Sequence, residues 1–66
     1  MHFEEGMTVT CHHPNWFSMF GQSIELPMGT KLTVSRSWNF NGLKLLDFKE
    51  YPDNSFIAYG FKPYLN

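Results

Sequence analysis

Apolar and polar residues alternate with a period of two over short stretches of this chain, and turn residues interrupt every run before a helix could form. Met7, Val9 and Cys11 alternate with Thr8 and Thr10, which predicts a strand with one buried face. The same rhythm returns at Lys31–Ser35 and runs on through Trp38 to Phe40. Leu43–Phe48 forms a third run. In the tail, Phe56 and Ala58, or Ile57 alone, point inward. Gly60 then permits a tight turn, and a last strand follows. Its Pro63 suits an edge, because proline cannot donate to a ladder. Several short strands with turn signals between them predict an all-β fold.

Asn41-Gly42 is the sharpest of those signals, since both residues tolerate the positive φ of a type I′ hairpin turn. That turn fixes a register in which Phe40 faces Leu43, Trp38 faces Leu45 and Arg36 faces Asp47. Each such pair is worth about 0.2–1 kcal/mol. Leu46 and Phe48 then fall on the face opposite Leu43 and Leu45. A β-bulge near Leu45-Leu46 would bring Phe48 back inward; the alternative is a strand buried on both faces. Leu26-Pro27-Met28-Gly29 fits a type I turn, with Pro second and Gly fourth. Tyr51-Pro52-Asp53-Asn54 predicts another turn. Before both of them, residues 12–25 read as a long loop or bent hairpin.

In this order, strand, long loop, Leu-Pro-x-Gly turn, long hairpin, short strand, one-turn helix and last strand, the chain resembles SH3-like β-barrels. Leu26–Val34 resembles the diverging turn and second strand of SH3 domains, and Ile57–Phe61 their closing strand and 3-10 turn. The chain is also similar to short bacterial and phage proteins, mostly of unknown function. They open with Phe-x-x-Gly-x-x-Val, here Phe3 to Val9, and close with Phe-x-Ala-x-x-Phe-x-Pro, here Phe56 to Pro63. The resemblance implies a five-stranded barrel over residues 1–66 with a single 3-10 turn before the last strand. It also puts Phe61 in place of the usual groove tyrosine. The acidic loop, paired tryptophans and Ala-Leu-Tyr opening of SH3 domains are missing, so recognition of proline-rich peptides is not implied.

Length makes the margin of stability thin. A chain of 66 residues buries only about 60% of its unfolded surface. One cysteine, Cys11, allows no internal disulfide. Rings compensate: seven Phe, three Tyr and two Trp can each bury about 150–250 Å². A lone thiol suits a reducing compartment. The polar start Met1–Gly6 lacks the basic, then apolar, run of a signal peptide. These features predict a cytoplasmic protein, complete from its initiator methionine, with no membrane contact.

Candidate chemistry is sparse. Cys11-His12-His13 is the one cluster that suggests a metal, but on a strand His12 points away from the other two, and zinc wants three or four converging ligands. Cys11 lies on an apolar face, which predicts an inert thiol. No cofactor and no catalytic residues are expected. The five Lys and Arg residues are scattered singly and net charge is −1, which argues against nucleic acid.

Phe3, Trp38, Phe48, Phe56, Phe61 and Tyr64 account for a core and its caps. Trp16, Phe17, Met19 and Phe20 are left over in one loop, which either lids the barrel or exposes an apolar patch. In the exposed case Trp16, Phe17, Phe20, Tyr59 and Phe61 line a groove for a protein or peptide partner. The expected function is a non-catalytic interaction module, an accessory protein of a bacterium or its phage. The alternative is a small barrel that stacks single-stranded nucleic acid on its rings. An open edge at Lys62–Leu65 offers a third route, a homodimer.

Overall fold

The structure, a computed structural model, describes residues 2–64. Seven strands carry the chain: β1 (Thr8–Cys11), β2 (Asn15–Phe17), β3 (Glu25–Pro27), β4 (Lys31–Phe40), β5 (Leu43–Phe48), β6 (Tyr51–Ile57) and β7 (Phe61–Pro63). A 3-10 turn, Ala58–Gly60, sits before the last strand, as expected. Five strands form one antiparallel sheet in the order β6-β5-β4-β1-β7, while β2 and β3 pair as a separate hairpin. The expected closed barrel is corrected on one point. β6 and β7 are sheet edges, and among the described residues they do not pair with each other. Leu65 of the expected last strand lies outside the described residues.

The hairpin between β4 and β5 has the register its turn dictates: Phe40 opposite Leu43, Trp38 opposite Leu45, Arg36 opposite Asp47. Asn41 and Gly42 both take positive φ, 49° and 83°. The bulge is elsewhere than expected. It falls at Ser35, between Val34 and Arg36, with a second shift between Asp47 and Phe48. One extra residue inverts alternation along β4. Leu32 and Val34 therefore face the core, while Arg36, Trp38 and Phe40 face outward. In β5, Leu46 and Phe48 join the core. Leu45 lies between Trp38 and Ile57 in register on the opposite face, and is fully buried too. The strand is thus covered on both sides, the alternative reading.

Two turns are shifted from their expected places. The first spans Pro27–Thr30, closed by the Thr30 N–H on the Pro27 carbonyl, 3.3 Å. Gly29 is third, with φ 93°, the position where a type II turn demands a positive angle. The second is the two-residue loop Lys49-Glu50, because Phe48 pairs with Tyr51. Pro52–Asn54 instead lie within β6, unpaired with β5 between the Tyr51–Phe48 and Ser55–Asp47 pairs. Where β4 parts from β5, the Glu50 carboxylate stands in for a strand. It accepts from the Thr33 N–H (2.9 Å) and hydroxyl (3.1 Å). Partial burial works against its charge, but these bonds and Lys49 outweigh it and hold the pKa below the ordinary value.

The core gathers Phe3, Val9, Cys11, Leu26, Leu32, Val34, Leu46, Phe48, Phe56, Ala58 and Phe61. Phe48, Phe56 and Phe61 form a triangle of rings with centroids 4.9–6.0 Å apart. Trp38 and Tyr64, expected to build or cap the core, lie outside this cluster.

Candidate functional site

The two sheet edges are dealt with differently, and the difference shapes the surface. On β7 the Tyr64 N–H donates to the Thr8 carbonyl, 2.9 Å, so Phe61 and Pro63 aim their other sides outward. The Phe61 N–H is taken by the Ala58 carbonyl, and Pro63 has no N–H. That edge offers no free donor at either position. On β6, the loop after β2 closes the edge. Ser55 exchanges backbone bonds with Met19 and Phe20, 2.7–3.3 Å. The buried Asn54 amide donates to the carbonyls of Phe20 and Gln22. The Trp16 indole N–H donates to the Ile57 carbonyl, 2.8 Å. Residues 12–25 therefore seal a sheet edge; they do not all leave water.

This docking distributes the expected groove over four places. Phe61 is 2% exposed, inside the core. Phe17 is 59% exposed and meets no other ring among the described residues. Phe20 stacks on Trp38 at 6.2 Å and meets Phe40 edge-on at 5.1 Å. Only Trp16 and Tyr59 come together as expected, with centroids 6.1 Å apart.

The Phe20–Trp38–Phe40 cluster has a fixed underside. Asp47 accepts from the Trp38 indole (3.0 Å), from the Ser55 hydroxyl (2.6 Å) and from Arg36 Nε (3.0 Å). Arg36 also covers the Trp38 ring, 4.6 Å from its centroid.

The Trp16–Tyr59 cluster is built from the end of β1 and the 3-10 turn. The His12 N–H donates to the Gly60 carbonyl, 2.9 Å, and its imidazole Nε2 lies 3.0 Å from the Tyr59 carbonyl. The chain has left the strand by then, so the expected parting of His12 from His13 does not occur. Their rings lie 5.1 Å apart, and His13 packs against both Trp16 (4.5 Å) and Tyr59 (5.5 Å). Trp16 leans over Gly60 so closely that a Cβ there would collide with the indole. Glycine is required here by approach, not by φ. Tyr59 ends up 73% exposed on this rigid base.

Beside Tyr59 opens a hollow of about 400 Å³ lined by Phe3, His12, Lys44, Ala58, Tyr59 and Phe61. Lys44 shares the core-facing side of β5 with Leu46 and Phe48, two residues before Leu46. The sequence marked Phe3 only as core and gave Lys44 no role; the fold brings both beside the 3-10 turn. Cys11 is fully buried, its sulfur 3.4 Å from the His13 carbonyl. A different pairing was also hidden in the sequence. Lys31 and Lys62 flank Thr10 in register on three neighbouring strands, and Lys31 lies over the Tyr64 ring at 4.3 Å. No family model, no curated protein and no solved structure matches the chain.

Proposed function

We propose that this chain is an SH3-like small domain that acts as a non-catalytic interaction module, gripping a peptide or exposed protein segment across Tyr59. Its role is that of a cytoplasmic accessory protein, bacterial or phage. Support for the fold comes from the strand order β6-β5-β4-β1-β7, the bend in β4 and the 3-10 turn before β7. Support for a binding role comes from one observation above all. A tyrosine 73% exposed is held on a stiff backbone at the mouth of an apolar hollow. An exposed ring costs nothing to desolvate partially and has little rotamer freedom to lose, which suits an anchor. The buried Cys11 thiol supports a role without covalent chemistry.

Selection from a random peptide library on the immobilised domain tests the reading. Enriched peptides should shift the backbone amides of Tyr59, Trp16 and His12, and Tyr59→Ser should weaken them about tenfold or more, a loss of about 1.4 kcal/mol. Peptides that map to Phe20, Trp38 and Phe40, or that ignore Tyr59→Ser, would refute it.

A second reading, single-stranded nucleic acid on the outer face of β4, β1 and β7, draws on the Lys31–Thr10–Lys62 row. Two lysines are a small phosphate footprint, and Lys31 already occupies one face of Tyr64. Anisotropy of a labelled oligothymidylate at low and moderate salt separates the readings. Micromolar binding with a steep salt slope would favour the nucleic acid. Self-association through β7 is weakened by its missing donors, and light scattering on the eluting protein measures it.

A further inference from the structure

The hollow next to Tyr59 has a composition that selects among peptides. Its volume, about 400 Å³, lies at the small end of the about 300–1,000 Å³ typical of ligand sites. It is therefore sized for one large side chain and its neighbour. Phe3, Ala58 and Phe61 supply apolar walls, and the ring of Tyr59 one lip. Among the described residues of the lining, Lys44 is the one carrying a full charge and none is a carboxylate. Among the described residues Lys44 has no ion-pair partner, since the pairs present are His2 with Glu4 and Arg36 with Asp47. A lysine so placed lays its methylene stem along the apolar wall and keeps its ammonium in water at the rim. Lys44 thus contributes a positive charge to the lining, although the whole chain carries a net charge of −1.

Resting on the reading that the Tyr59 face binds a peptide, we propose that the preferred partner is an acidic one: a segment that seats a large apolar side chain between Phe3, Ala58 and Tyr59 while an adjacent carboxylate meets Lys44. The apolar residue supplies contact area. The carboxylate sets orientation and excludes basic segments, which would meet an unpaired like charge. The neighbouring His12 imidazole, its Nε2 3.0 Å from the Tyr59 carbonyl, adds a second polar group to the same lining.

Two synthetic hexapeptides test this, acetyl-Gly-Glu-Leu-Phe-Glu-Gly-amide and its neutral counterpart with both Glu replaced by Gln. Each is titrated into the isotopically labelled intact chain at low and at high salt. The acidic peptide is expected to shift the amides of Phe3, Ala58 and Tyr59 and to bind about two- to fivefold tighter at low salt. The preference should fade as salt rises. Lys44→Glu should invert the preference and Lys44→Met should abolish it, both with an unchanged thermal midpoint. Equal affinity of the two peptides, or a preference that survives Lys44→Glu, overturns the acidic partner and leaves the Tyr59 reading standing. No shift from either peptide also overturns it. If library-selected peptides then ignore Tyr59→Ser as well, the underlying reading falls too.

Discussion

Trp38 and Trp16 each donate an indole N–H, but to acceptors of different kinds, and the two faces of the molecule differ accordingly. Trp38 donates to a carboxylate, Asp47, that also binds Ser55 and Arg36. Of the rings above it, Phe20 stacks on Trp38, while Phe40 meets both of them edge-on. Beneath them Leu45 is fully buried. This face packs its rings against one another on the outside of the sheet, with Phe20 and Phe40 each 38% exposed. Trp16 donates to a backbone carbonyl at the end of β6 and supports His13 and Tyr59, with Tyr59 left mostly in water. One cluster uses its rings against one another; the other uses them to present a ring. Ring count alone does not mark a binding surface. What matters is whether the outermost ring has satisfied neighbours.

Substitutions can break this contrast from either side. Asp47→Ala should have the largest effect. It leaves the Trp38 and Ser55 donors without an acceptor and frees the Arg36 guanidinium, a loss of about 2–3 kcal/mol seen as a lower urea midpoint. For so short a chain that is a large share of the margin. Gly60→Ala should cost about 1–3 kcal/mol, since the new Cβ pushes the Trp16 indole off the Ile57 carbonyl; it should also redden or quench tryptophan emission, which Asp47→Asn should do less. Trp16→Phe removes the indole N–H and part of the ring area packed on the core, and should cost about 1–2 kcal/mol in the same denaturation assay. Phe17→Ser should change neither stability nor peptide binding by more than about 0.5 kcal/mol, because that ring is mostly exposed and meets no other ring among the described residues.

The hairpin from β4 to β5 was legible because Asn41-Gly42 fixes it locally, and the pairs that follow from that turn are the pairs that form. The 3-10 turn and the burial of Val9, Cys11, Phe48 and Phe56 were legible from alternation and from the closing motif. The bulge was not, because Ser35 carries no mark of one; a bulge is a response to sheet curvature, not a residue preference. The turns at Pro27–Thr30 and Lys49-Glu50 were missed for a related reason. Pro-containing tetrapeptides beside each satisfied the same turn rules, and strand pairing chose between them. The site was legible only in half. Trp16 and Tyr59 meet, but Phe20 is drawn away by backbone bonds to Ser55, a partner 35 residues further on that no local pattern announces. Lys44, Lys31 and Lys62 looked solitary along the chain, yet one borders the hollow and the other two flank Thr10.

The contrast between the faces is tested most directly by carrying Tyr59→Ser and Phe20→Ser through the same pair of assays, urea denaturation and titration with a library-selected peptide. Tyr59→Ser should keep the wild-type midpoint and lose the peptide. Phe20→Ser should lose about 1–3 kcal/mol of stability, from two ring pairs at about 0.5–1.5 kcal/mol each, and keep the peptide. The reverse outcome, a destabilised Tyr59→Ser that still binds or a stable Phe20→Ser that does not, would contradict the assignment of presentation to one cluster and packing to the other.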